Sequence, residues 1–365
     1  MEVRFFDYPK QFGIDAENYE RIIMETLRKG AYILGAELES FERNLAEYVG
    51  VKHAVGVNNC TDAILISLLA AGVGPGDEVI TVSHTFVATV EVIKFTGAEP
   101  VLVDIGEDRC MDVSKVEEAI TPKTKAIVPV QLNGRIMKGM DNLMEIAEKH
   151  GLSVIEDSSQ AIGAELNGKG AGSIGLTGNF SFYPAKVLGA FGDAGAITTD
   201  DDEIAEKAKL LRNHGRAPSG EIVMWGLNSR LDNVHAAILD YKLTRLDENI
   251  EKRRVLAKIY HDKLKGIEQL VLPAYDGDGH RDVFQNYEIE AENRETLEKY
   301  LADKGIQTPR QWGGKGVHQF EKLGFDVSLP RTELFFSRCL LLPLYPELET
   351  EKAEYVADTI AGFYA

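Results

Sequence analysis

The chain has 365 residues, 44% of them apolar and 27% charged, which suits a globular protein with one large and one smaller domain. A formal net charge of −18 opposes non-specific binding to nucleic acid or to an anionic membrane, while leaving room for a local cationic cluster that takes an anionic small ligand. No apolar signal segment opens the sequence, Ala63 to Gly76 is too short to span a bilayer, and Cys60, Cys110 and Cys339 have neither metal-site nor disulfide spacing, so a reducing cytoplasm and no bound metal are expected.

Along the first two-thirds, helical and strand patterns alternate. Glu37–Gly50 reads as an amphipathic helix, Ala54–Val57 as a strand and Thr61–Ala71 as a helix, followed by a turn at Gly74-Pro-Gly-Asp77. Glu78–Val82 is a strand, Ala88–Thr96 a helix, Pro100–Asp104 a strand, Val113–Ile120 a helix, Ala126–Val130 a strand and Asp141–His150 a helix. Val154–Asp157 and Ala196–Thr199 are further strands. Such alternation predicts an α/β domain with a mostly parallel sheet, whose ligands bind at the carboxyl ends of the strands. From Leu231 the pattern changes. Asp232–Tyr260 reads as one long helix, and Asn286–Glu290, Arg294–Lys304, Gln307–Arg310 and Thr350–Tyr364 follow as shorter mixed elements. The expected division is a large domain over 1–245 and a smaller α+β domain over 246–365, with the N-terminal segment free to join either.

Two elements point to chemistry. In Phe180-Ser-Phe-Tyr-Pro-Ala-Lys186-Val-Leu-Gly189, followed by Gly192-Asp-Ala-Gly195, a lone lysine stands among apolar and glycine residues. Desolvation there lowers an amine's pKa and exposes its nucleophilic neutral form, which attacks aldehydes to give Schiff bases. Upstream, Val154-Ile-Glu-Asp157-Ser-Ser-Gln160 is a buried strand with a carboxylate at its end. A Schiff-base lysine and an aspartate for a pyridinium nitrogen are the two protein groups that pyridoxal phosphate chemistry requires. A surface lysine on a turn is the plainer alternative.

Asn58-Asn-Cys60-Thr61-Asp62 opens a helix, and a helix N-terminus with a hydroxyl is a phosphate site or an ordinary cap. Ser181 is a second candidate phosphate donor. Phe86, in Ser83-His-Thr-Phe-Val-Ala-Thr89, is either a ring that stacks on a planar cofactor or plain core. Gly170-Ala-Gly172-Ser-Ile-Gly175 fits a dinucleotide pattern by letters but lacks the preceding strand and following helix, so a turn-rich loop is expected. Asn228 and Arg230 precede the long helix and are candidates for anion binding, capping or a surface ion pair.

Together these segments resemble the DegT/StrS family of pyridoxal-phosphate-dependent nucleotide-sugar aminotransferases. The resemblance runs from Tyr32-Ile-Leu-Gly-Ala-Glu-Leu-Glu-Ser-Phe-Glu42 to Leu342-Pro-Leu-Tyr-Pro346. Its most specific parts are Glu156-Asp-Ser-Ser-Gln-Ala161, Ser181-Phe-Tyr-Pro-Ala-Lys186, Gly192-Asp-Ala-Gly195 and Asn228-Ser-Arg-Leu-Asp232. The resemblance implies the aspartate-aminotransferase fold (fold type I) and an obligate homodimer with active sites shared across subunits. It implies that Lys186 carries the internal aldimine and shuttles protons, that Asp157 pairs with the pyridinium nitrogen and that Gln160 contacts the ring hydroxyl. By the same resemblance Phe86 stacks on the ring, Cys60, Thr61 and Ser181 hold the phosphate, and Asn228 reaches the phosphate of the neighbouring subunit. Tyr32, Tyr183, His214, Arg230, Lys315 and His318 are candidates for substrate contact.

Three segments depart from the family pattern. The phosphate turn, usually Ser-Gly-Thr, is Asn59-Cys60-Thr61, and a cysteine lacks the conformational freedom of glycine. The usual His-Leu-Tyr-Gly is Gln131-Leu-Asn133-Gly134, and a Pro-Leu-His-Leu-Gln pattern is replaced by Gln311-Trp-Gly-Gly-Lys315-Gly-Val-His318-Gln319. The implied reaction is ping-pong transfer of an amine from L-glutamate to a keto group of a nucleotide-linked hexose, with C3 favoured over C4 by the Gly-Asp-Ala-Gly segment. A cyclitol or other non-nucleotide ketone is an alternative acceptor. Dehydratase relatives carry histidine where Lys186 stands, which argues against that branch. A non-catalytic regulatory protein on the same fold is the rival from another class, and a nicotinamide dehydrogenase rests only on the discounted glycine pattern.

Overall fold

The computed structural model describes residues 1–275 and 277–365. Seven strands form the main sheet: β1 (His53–Val57), β2 (Glu78–Val82), β3 (Glu99–Val103), β4 (Thr124–Ile127), β5 (Ser153–Asp157), β6 (Thr177–Ser181) and β7 (Gly195–Thr199). Their spatial order is β1-β7-β6-β5-β4-β2-β3, and β7 alone runs opposite to the other six. Mostly parallel strands bury both faces, and most residues of these strands are buried. Leu38, Phe41, Leu45, Leu143 and Ala147 from flanking helices cover one side. Ile64, Leu68, Val92 and Ile93 pack on Val79, Ala126 and Ile155 elsewhere on the sheet.

A second core gathers Leu256, Tyr260, Tyr287, Ile289, Leu297, Leu340 and Val356 beside a three-stranded antiparallel sheet of Leu270–Val271, Tyr287–Ala291 and Cys339–Leu342. The N-terminus joins this second core: Val3 is fully buried in it and pairs with Ile306 in a parallel bridge. The boundary expected at 245 falls where the helix Leu246–Leu264 starts. That helix contributes Leu246 and Ile250 to the first core and Leu256, Ala257, Tyr260 and Leu264 to the second.

Three expectations need correction. The single helix predicted over Asp232–Tyr260 is two, Asn233–Leu243 and Leu246–Leu264. Arg245 leaves the helical region at φ −116°, ψ 7°, and Asp15 ties the break by accepting from Tyr241 Oη (2.6 Å) and Arg245 Nη1 (3.0 Å). One straight axis does not serve both halves: the first is pinned by Asp240 to Ser40 and Asn44, whereas the second serves two cores. The helix predicted at Val113–Ile120 is a 3-10 turn, Val113–Lys115, and one α turn, Val116–Ala119. Gln307–Arg310, expected as one of the shorter mixed elements, forms neither helix nor strand.

In the glycine run Gly170 ends a two-residue strand, Lys169–Gly170, and 171–175 is the loop its context predicts, which encloses a protein carboxylate. Buried Glu156 accepts from Gly172 N (3.2 Å), Ile174 N (2.8 Å), Gly175 N (2.9 Å) and Gln131 Nε2 (2.9 Å). Burial raises the Glu156 pKa, and these donors oppose the rise. The loop therefore locks the end of β5, and with it the residue that follows Glu156.

Candidate active site

At the carboxyl ends of the parallel strands lies a cavity of ≈ 570 Å³. β5 delivers Asp157 to it. Asp157 is 3% exposed, and its oxygens accept from Thr89 Oγ1 (2.7 Å) and Ser159 N (3.1 Å). Thr89 in turn is bonded to Thr85 Oγ1 at 2.6 Å. Among the described residues the carboxyl group forms no ion pair, and a short hydroxyl relay aims it.

Lys186 projects from residues 182–194, which contain no helix or strand. It lines the same cavity, and among the described residues its amine has no hydrogen bond or ion pair. Burial lowers its pKa, with Cys60 and Asp157 pulling the other way. Cys60 is itself held as a neutral thiol, because burial pushes its pKa well above the usual range. Asp157 is therefore the partner that counts.

The helix Cys60–Ala70 points its N-terminus at the cavity, with Asn59 as N-cap accepting from Asp62 N at 2.8 Å. Four of its first N–H groups lack intrahelical partners by construction, which makes this end attractive to an anion. Thr61 and Ser181 bring hydroxyls to the same wall. Gly195 on β7 is what allows the approach. A Cβ there would lie 2.5 Å from Asn59 C and 2.8 Å from Cys60 N. Cys60 occupies the first helical turn and is not among the residues with positive φ, so its replacement of a family glycine strains nothing.

Phe86 is 55% exposed at the cavity, ahead of the helix Val87–Phe95, which excludes the plain-core alternative. An exposed phenyl there presents a face to whatever occupies the space. Gln160 also lines the wall, its Oε1 accepting from Asn133 N at 2.8 Å.

Seven expected cofactor contacts therefore converge: Cys60, Thr61, Phe86, Asp157, Gln160, Ser181 and Lys186. The eighth, Asn228, does not line this cavity. It is exposed and bridged to Asn213. Of the substrate candidates only Tyr183 lies on the wall. Tyr32, His214 and Lys315 are exposed away from it, and Arg230 Nη1 donates to Asn213 Oδ1 at 3.1 Å. His318 is buried and spends both ring nitrogens, on Ser83 Oγ (2.6 Å) and Glu333 Oε1 (3.3 Å). Its position is that of a clamp between chain segments, off the cavity wall. Sequence reasoning missed Thr89, which looks like an ordinary helix residue, and Trp312, which lines the cavity at a positive φ of 48°. The glycine pair after Trp312 marks an unusual turn and was the available signal.

Residues 14–361 match the model of the DegT/DnrJ/EryC1/StrS aminotransferase family. A "pleiotropic regulatory protein" of Geobacillus stearothermophilus is 43% identical, over 100% of this chain and 99% of that protein. The dTDP-3-amino-3,4,6-trideoxy-alpha-D-glucose transaminase of Streptomyces venezuelae is 40% identical, over 98% of this chain and 95% of its own. The crystal structure of S. venezuelae DesV in complex with a ketimine intermediate superposes with a TM-score of 0.96 at 39% identity, covering 100% of this chain and 98% of that one. A match across nearly all of the sequence and the whole fold settles the class: this chain belongs to the DegT/DnrJ/EryC1/StrS aminotransferase family and is an enzyme of the aminotransferase type.

Proposed function

We propose that this protein binds pyridoxal 5'-phosphate and moves an amine from L-glutamate to the keto group of a nucleotide-linked sugar, C3-keto in preference to C4. The observation that carries the reading is the joint presence, in one cavity, of a desolvated lysine, a fixed carboxyl group, an exposed phenyl face and a helix N-terminus. That donor set fits a planar, phosphorylated aldehyde. Gly195 leaves the room that the phosphate end requires.

Bound there, the cofactor supplies a carbonyl that takes up amines and a pyridinium ring that withdraws electrons. The protein's contributions follow from its own groups. Lys186 Nζ, whose pKa burial lowers, would hold the cofactor and then serve as the base that moves a proton. The Asp157 carboxyl group, oriented by Thr89, stabilises positive charge on the ring nitrogen. Cys60, Thr61 and Ser181 would hold the phosphate through backbone N–H groups and hydroxyls. Phe86 would cover one face of the ring.

The choice of a sugar acceptor and of C3 is supported by the relative at 40% identity, whose name specifies a 3-amino sugar nucleotide. The binding or regulatory alternative has the name of the 43% relative in its favour. Against it stands the intact pair of Lys186 and Asp157. The shared-site homodimer is supported by the segment Ile222–Trp225, where Trp225 is 96% exposed and its three apolar predecessors are exposed with it. Such a contiguous patch calls for a cover, and a second copy that buries it also gives the exposed Asn228 a partner.

The test is 2-oxoglutarate release from L-glutamate with a panel of dTDP- and UDP-linked 3-keto and 4-keto sugars and a cyclitol ketone. Turnover with a 3-keto nucleotide sugar supports the whole reading. Turnover with the cyclitol alone replaces the substrate class, and no turnover with any ketone overturns the proposed reaction.

A further inference from the structure

We propose that Gln285 is a positioning residue for Lys186: its side-chain amide grips the peptide on both sides of the lysine and so aims the ε-amine into the cavity. The proposal rests on the reading of Lys186 given above. Val187 N donates to Gln285 Oε1 at 2.8 Å, and Gln285 Nε2 donates to Ala185 O at 3.0 Å. Lys186 lies between these two bonds, in a stretch without helix or strand where its own N donates to Tyr183 O at 2.8 Å. Gln285 does not line the cavity itself. It acts through the lysine's backbone.

The clamp is built from the other body of the protein. Gln285 leads into the strand Tyr287–Ala291 of the second core and is 8% exposed. Its neighbour Phe284 is held at a positive φ of 50°, an outlier for a bulky side chain. Outliers of this kind persist where surrounding contacts over-determine them, and they cluster near functional sites. The contacts are visible here. Val283 N donates to Gly134 O at 2.9 Å, and buried Arg253 Nη1 donates to the carbonyls of Phe284 and Gln285, each at 3.3 Å. Gly134 permits the approach, because a Cβ there would lie 2.7 Å from both Phe284 N and Gln285 N. The next residue, Asn286, donates to Asn133 Oδ1 at 2.9 Å, and Asn133 N holds Gln160. Two consecutive side chains of the second body thus reach two walls of the cavity, one behind Lys186 and one behind Gln160.

Pyridoxal phosphate is added to cofactor-stripped protein across a range of pH, trapped with borohydride and located by peptide mass. Wild type, Gln285→Ala and Gln285→Glu are compared, with thermal melting alongside. The titratable groups near the amine are Asp157, Cys60, Tyr183 and Asp193. Wild type is expected to label at Lys186, with a pH midpoint below that of an ordinary lysine. Gln285→Ala should label about tenfold more slowly, since small misplacement of a reacting group is costly. Its midpoint should rise as the amine escapes its desolvated position. Gln285→Glu keeps the acceptor for Val187 N, loses the donor to Ala185 O, and should fall between. A merely structural glutamine would lower the melting temperature and leave rate and midpoint in place, and that result in Gln285→Ala overturns the proposal. Should Gln285→Ala fail to fold, Gln285→Glu decides by the same two readouts. If wild type itself does not label at Lys186, the reading of the lysine falls first and the clamp with it.

Discussion

An amine confined to a cavity loses hydration, and Lys186 shows the consequence in a pKa lowered by burial against the pull of Cys60 and Asp157. The sign of the effect is definite. A base with a depressed pKa is neutral over a wider range, so aldehyde capture at Lys186 should rise with pH through a midpoint below the ordinary lysine value of about 10.4. Lys186→Ala should abolish both capture and turnover, and retained turnover in a 2-oxoglutarate assay would remove Lys186 from the mechanism. Asp157→Asn leaves the shape of the site but removes its counter-charge, so kcat should drop by about 10²-fold or more. A change in KM alone would count against that role. These two residues are legible in the sequence because each breaks its surroundings: a lysine among apolar and glycine residues, a carboxylate at the end of an apolar run. Thr89 and Trp312 are not legible in that way. Threonine inside a helix reads as filler until the fold brings Asp157 within 2.7 Å of it.

Elements position these side chains, and the two glycine-rich segments show how. Gly195 lets β7 pass against the N-terminus of the helix Cys60–Ala70, where a Cβ would collide with backbone at 2.5 Å. Gly195→Ala should push the helix end away from the phosphate and weaken pyridoxal phosphate binding about tenfold or more in an equilibrium titration. Gly172 and Gly175 instead donate to Glu156. Glu156→Gln puts an NH₂ among N–H donors and should destabilise the fold by about 3 kcal/mol, read from the midpoint of urea unfolding. An unchanged midpoint would mean that the loop holds the strand end by other means. Where periodicity was strong, as in β2 or the helix Thr350–Tyr364, the sequence reading and the structure agree residue for residue. β6 escaped notice because Thr177-Gly-Asn-Phe-Ser181 has little strand character. It is stabilised by long-range bonds, among them Ser67 Oγ to Asn179 Oδ1 at 2.7 Å. The break at Arg245 carries no glycine or proline and is enforced by Asp15, 230 residues away in sequence.

At the scale of the whole molecule, two cores share one element, the helix Leu246–Leu264. That sharing explains why pattern reading found the change of character after Leu231 but not the way the bodies join. The entry of Val3 into the second core is likewise a long-range fact that no local pattern announces. Asn228 lies exposed and outside its own chain's cavity, which leaves it available to a second copy. In sedimentation the protein should run as a dimer, and Trp225→Ser should weaken that dimer. Mixing inactive Lys186→Ala subunits with Asn228→Ala subunits should restore part of the activity, because each mixed dimer assembles one intact shared site. No recovery, in mixtures shown to exchange subunits, would confine the site to one chain.

The central claim is that this cavity holds pyridoxal phosphate on Lys186 for amine transfer. The most direct measurement is the visible absorption spectrum of the purified protein with added pyridoxal phosphate, before and after L-glutamate. A yellow band that bleaches with glutamate and returns with a keto-sugar nucleotide is the predicted result. The absence of any band, or a band that glutamate leaves unchanged, would contradict it.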